Sequence, residues 1–111
     1  MYVAVIDDNK SSAFIIASVA RENQFAVDCF HDGIDFVHVL EELGHCPYDL
    51  VFLDIQLPEM EADEVLLELH LRRCNPRIVL VTGESMDAIA HVERFADKAR
   101  LNVEAVFTTP I

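Results

Sequence analysis

The chain has 111 residues, 52% of them hydrophobic, which is enough for one core and one domain over 1–111 and too little for an elaborate second lobe. Lys and Arg total 8 against 20 Asp and Glu, a formal net charge of −12, so a polyanion is repelled and direct nucleic-acid binding is disfavoured. Cys29, Cys46 and Cys74 show no paired spacing, and no stretch has the pattern of a cleaved leader or a bilayer-spanning helix, so reduced thiols in a soluble, cytoplasmic protein are expected.

The first predicted strand, Tyr2 to Ile6, is apolar and branched enough to be covered on both faces, and it delivers Asp7 and Asp8 at its carboxyl end. Ser11 or Ser12 is expected to cap a helix that runs to about Asn23 and buries Phe14, Ile15 and Val19. Phe25 to Phe30 reads as a second strand, ended by His31-Asp32-Gly33. Phe36, Val37, Leu40 and Leu43 then recur at helical spacing, predicting a helix from Ile34 to Leu43 that Gly44 stops. His31, His38 and His45 recur every seven residues, and His38 with Glu42 has metal-ligand spacing. With no further ligand in register, they are read as surface histidines.

The stretch from Tyr48 to Pro58 is the centre of the chain, a third buried strand flanked by Pro47 and Pro58 and interrupted by Asp54 where it should end. A helix follows from Ala62 to Arg73, with Val65, Leu66 and Leu69 on one face and Arg72-Arg73 favourable at its carboxyl terminus, and Pro76 prevents continuation. Ile78 to Val81 is the fourth strand, leading through Thr82-Gly83-Glu84-Ser85 to a helix from about Met86 to Arg100 that turns Ile89, Val92 and Ala96 inward. Val103 to Phe107 is the fifth.

Five strands alternating with four helices imply a parallel sheet with helices on both faces. A fifth helix, expected beside the first, has no counterpart before Ile111. Either a continuation of a longer protein or a partner, a second copy included, is expected to cover that face.

In such sheets the functional crevice lies outside the carboxyl ends of the strands, where strand order reverses. With the order 2-1-3-4-5, Asp7, Asp8, Asp54 and Thr82 converge there. Each carboxylate pair repels by roughly 4 kcal/mol at about 4 Å with an effective dielectric near 20, so the cluster needs a proton or a cation. A hard divalent ion such as Mg²⁺ suits it. A carboxylate beside that ion can attack phosphorus, and Thr82 can donate its hydroxyl to a phosphoryl oxygen.

Together, Val5-Ile6-Asp7-Asp8-Asn9, Leu53-Asp54-Ile55-Gln56-Leu57-Pro58-Glu59-Met60, Val81-Thr82-Gly83 and Thr109-Pro110 resemble the receiver domain of two-component response regulators, in order and over the whole chain. The resemblance implies a flavodoxin-like, three-layer open sheet. It also implies a module that takes a phosphoryl group from a histidine kinase or phosphotransfer protein onto Asp54. Asp7, Asp8 and Asp54, with the backbone carbonyl of Gln56, are then the Mg²⁺ site, and Thr82 shifts toward the phosphoryl group to reshape the surface near the fourth helix and fifth strand. The fourth helix, Leu101-Asn102-Val103 and the tail are similar to receivers fused to cyclic-di-GMP phosphodiesterase domains.

Three positions depart from the family pattern. Thr109 stands where receivers usually carry a Lys, Glu61-Ala62 replaces the usual Asp-Gly, and Val106 occupies the place of a switching aromatic, with Phe107 one residue later. The first implies weakened activation, since a charge-assisted contact is worth roughly twice a neutral one. Lys10 is one source of a replacement ammonium. Two alternatives stand beside the phosphoacceptor: a pseudo-receiver that docks or dimerises without phosphorylation, and a phosphohydrolase using Asp54. The second lacks an acid two positions after its nucleophile, where Gln56 stands, and a cap segment to enclose a substrate. The expected activity is that of a signalling module, not a turnover enzyme.

Overall fold

The computed structural model of the protein describes residues 1–83 and 86–108, the side chain of Met86 excepted. In chain order the elements are β1 (Tyr2–Ile6), α1 (Lys10–Glu22), β2 (Ala26–Phe30), α2 (Gly33–Leu43), β3 (Leu50–Asp54), α3 (Ala62–Leu71), β4 (Arg77–Thr82), α4 (Met86–Lys98) and β5 (Asn102–Thr108). Every pairing is parallel, in the order β2-β1-β3-β4-β5. Parallel neighbours need crossovers, the four helices supply them, and the winding reverses between β1 and β3.

Side chains alternate across the sheet and divide the core in two. Ala4, Ile6, Val51, Leu53, Ile78 and Leu80 join the larger cluster with Phe36 and Leu40 of α2, Leu66 and Leu69 of α3, and Val92 of α4. Val3, Val5 and Val81 join the smaller one with Ala13 and Ile16 of α1. Each fully buried Leu or Val contributes roughly 1.5–3 kcal/mol, so the α2–α4 side dominates stability.

Helix α1 departs from expectation in its cap and in its face. It begins at Lys10, so Ser11 and Ser12 lie inside its first turn and Asn9 is the cap, its side chain accepting the Ser12 amide at 3.1 Å. The buried residues are Ala13, Ile16, Ala17 and Ala20, whereas Phe14, Ile15 and Val19 are exposed. Small alanines let the helix lie close on the sheet, and the larger apolar side chains are left at its flank. Ile15, Val19, Phe25, Leu50, Phe52 and Phe107 line an open groove of about 290 Å³ there. Among the described residues no fifth helix covers it.

Helix α2 ends at Leu43 as expected, whereas α3 and α4 end earlier than expected. Asp32 caps α2 through the Asp35 amide at 2.8 Å, and Gly44 closes it with a φ of 72° that glycine adopts freely. Helix α3 stops at Leu71 rather than Arg73, which sits at a φ of 56°. Arg72 instead bridges Glu68 at 3.0 Å and Glu41 of α2 at 3.2 Å. Helix α4 stops at Lys98, two residues before Arg100, whose φ is 58°. A register shift between Ile78 and Val79 sets Val106 against Leu80 and Phe107 against Val81. Phe107 thereby falls on the α1 side of the sheet, half-exposed.

Candidate functional site

The reversal point sets the carboxyl ends of β1 and β3 next to each other, with Ile6 opposite Leu53, so Asp7 and Asp54 emerge side by side. The Asp7 amide donates to the Phe30 carbonyl at 3.0 Å, which holds this residue against the end of β2, and its carboxylate is almost fully buried. One of its oxygens accepts the Asn9 amide at 2.9 Å. Asn9 therefore joins the acidic loop to the first turn of α1, a role the sequence announces only by placing a strong capping residue three positions before Ser12. Asp8, next along, is exposed.

Asp54 ends β3 opposite Val81, and the amide of Ile55 donates to the Val81 carbonyl at 3.0 Å. Its Oδ1 accepts the Gln56 amide at 2.9 Å, which turns the carboxylate back over the strand end. Asp7, Asp8 and Asp54 each offer an oxygen, and the three lie within 4.8 Å of one another. Burial, above all, pushes the Asp54 carboxyl up from 3.8 to about 7. A hydrogen bond with Asp7 and the charges of Asp7 and Asp8 push the same way, against the pull of the Gln56 amide. Without a cation, then, the cluster relieves its repulsion by keeping a proton near neutral pH. Packed carboxylate oxygens, partly buried and short of positive charge, are the donor set of a hard divalent ion.

Thr82 closes β4, one residue beyond the partner of Asp54, and is fully buried. Gly83 beside it is exposed. Gln56 is exposed at the start of the following loop. Lys10, expected in a loop, is the exposed first residue of α1. Thr109, like Glu84 and Ser85, lies outside the described residues. His31, His38 and His45 are exposed, in line with their reading as surface histidines.

Residues 3–99 match the model of the response regulator receiver domain family. Regulatory protein VanRc of Enterococcus gallinarum is 27% identical over 96 residues, 86% of this chain and 40% of that protein. Transcriptional regulatory protein TctD of Salmonella typhimurium (strain SL1344) is 33% identical over 85 residues, 77% of this chain and 37% of that protein. The chain thus spans about two fifths of the length of these relatives. A solved response regulator from Colwellia psychrerythraea superposes with a TM-score of 0.80 at 23% identity, over 99% of this chain and 85% of that one, a likeness of fold.

Proposed function

This chain belongs to the response regulator receiver domain family, and from that membership we propose that it accepts a phosphoryl group on Asp54 from a histidine kinase or phosphotransfer protein and signals to an output domain. The observation that carries the reading is the convergence of Asp7, Asp8 and Asp54 within 4.8 Å at the reversal point of the sheet. The phosphoacceptor must be unprotonated to attack phosphorus. Asp54 stands at the strand end with one oxygen held by the Gln56 amide, which supports its role as the attacking carboxylate.

Asp7, Asp8 and Asp54 with the Gln56 backbone carbonyl would hold Mg²⁺, which when bound supplies positive charge against the transferring phosphoryl oxygens. Thr82 donates its hydroxyl to one of those oxygens. Thr109 offers a second neutral donor where the family has an ammonium, so the activated state is stabilised less than in typical receivers. The domain assists its own phosphorylation and dephosphorylation and is not a turnover enzyme. It works in the cytoplasm, where the kinases of two-component pathways present their phosphohistidine. The open apolar face beside α1 supports association with a second copy or with a following segment. The pattern of α4 and the tail supports a cyclic-di-GMP phosphodiesterase output, and the likeness to TctD, a transcriptional regulatory protein, supports a transcriptional one.

Incubation with acetyl phosphate or beryllofluoride plus Mg²⁺, read by intact mass and NMR, tests the proposal. One phosphoryl adduct is expected, lost on Asp54→Asn. Thr109 favours a second reading, a pseudo-receiver that docks without phosphorylation, and the absence of any adduct on Asp54 would establish it over the first.

A further inference from the structure

The strands β3 and β4 pair with Leu50 opposite Arg77, and the Asp49 carbonyl accepts the Arg77 amide at 3.0 Å. The segments entering these strands therefore run side by side at the amino ends of the sheet, at the opposite end from the acidic pocket. Cys46 stands four residues before Leu50, and Cys74 three before Arg77, so both lie in these neighbouring entry segments. Both pack on the same hydrophobic cluster, Cys74 buried at 6% exposure and Cys46 half-buried. The Cys74 amide is anchored to the Leu69 carbonyl at 2.9 Å, which holds the residue beneath the end of α3. The Cys74 thiol donates to the Arg72 carbonyl at 4.0 Å, and Cys46 is the neighbouring thiol that acts on it. Cys29 sits apart, exposed on β2. No metal-ligating group of three or more side chains among the described residues includes either cysteine of the pair.

We propose that Cys46 and Cys74 are an oxidative modification site, which a peroxide converts to an intramolecular disulfide. Cys46, the more accessible, meets the oxidant first. Its sulfur gives up a proton and attacks one peroxide oxygen, the O–O bond breaks, one water leaves, and Cys46 becomes a sulfenic acid. The Cys74 sulfur then attacks the Cys46 sulfur, the S–O bond breaks, and the departing hydroxyl takes the Cys74 proton to leave as a second water. The two sulfurs together lose two electrons and the peroxide gains them. Burial and the neighbouring thiol push Cys74 up to about 12, which keeps it protonated until that step and makes it the resolving partner. The bridge closes a loop over residues 46–74 that contains Asp54 and all of α3, so it constrains the unfolded chain. The site is independent of the phosphoacceptor reading.

The test uses the 111-residue chain with Cys29→Ser, an exposed position, treated with hydrogen peroxide. The intact mass is expected to fall by two hydrogens, and a non-reducing peptide map to show Cys46 joined to Cys74. Melting should rise by on the order of 5 °C or more and return on adding dithiothreitol. Cys46→Ser in the same background should abolish all three effects. Sulfinic acid at Cys46 with Cys74 still free, a bridge between chains, or no bridge under conditions that oxidise the urea-unfolded chain would each overturn the proposal.

Discussion

Asp54 concentrates the electrostatics of the site. Its carboxyl is raised from 3.8 to about 7, so protons bind the folded chain more tightly than the unfolded one. That contribution to stability is fully present below about pH 4 and is lost as the pH rises through about 7. The metal-free domain should therefore lose thermal stability across this window. Asp54→Asn should flatten the loss and stabilise the metal-free domain at pH 8 by roughly 1 kcal/mol, allowing for the solvent that reaches Asp8 and Asp54. Differential scanning fluorimetry in a chelating buffer from pH 4 to 8 measures both. Mg²⁺ should reverse the trend, raising the melting temperature more at pH 8 than at pH 5, where protons compete for the same oxygens, and Asp54→Asn should blunt that response. Lys10 begins α1 from the loop that carries Asp7 and Asp8. If its ammonium replaces the charge missing at Thr109, Lys10→Ala slows phosphorylation by acetyl phosphate or shortens the lifetime of the adduct, and unchanged rates discard that role.

At the scale of elements, two short-range features hold the pocket in place. Asn9 caps α1 while its own amide binds Asp7, so Asn9→Ala should cost about 1 kcal/mol in urea unfolding, with the Asp7 contact retained because the backbone makes it. Gly33 opens α2 where any Cβ would lie 2.7 Å from a Val65 methyl and 3.0 Å from the Met60 sulfur. Ala there gains helix propensity but must displace a branched core side chain. Gly33→Ala should therefore destabilise by about 1 kcal/mol and shift the NMR resonances of the loop after Asp54. The start of α2 was legible because Asp32 and Gly33 are local signals. The buried face of α1 was not, since Phe14-Ile15 and Ile16-Ala17 offer two overlapping apolar stripes. Only contact with the sheet selected the alanine-rich one. Likewise the ends of α3 and α4 depend on Arg73 and Arg100 adopting left-handed backbone, which ordinary propensity disfavours.

Over the whole molecule the two faces of the sheet are unequally covered. The α2–α4 side is closed, whereas the side held by α1 alone leaves a groove bordered by Ile15, Val19 and Phe107. An apolar dye such as anilinonaphthalene sulfonate should bind there, and Ile15→Gln with Val19→Gln should reduce its fluorescence several-fold. The melting temperature should change by only a few degrees, because both side chains are already half-exposed. The alternation of buried strands and helices and the three acids and one hydroxyl at strand ends were determined by the sequence itself, and the 2-1-3-4-5 order was implied by the family resemblance. Periodicity and the handedness of crossovers act through local sterics that any reader of the chain can apply. Distances belonged to the tertiary structure. It alone brought Asp7, Asp8 and Asp54 within reach of one ion, set two cysteines of unpaired spacing on one hydrophobic cluster, and left Phe14, Ile15 and Val19 outside the core. Those outcomes depend on register between strands remote in sequence, where a shift of one residue exchanges the two faces of a sheet.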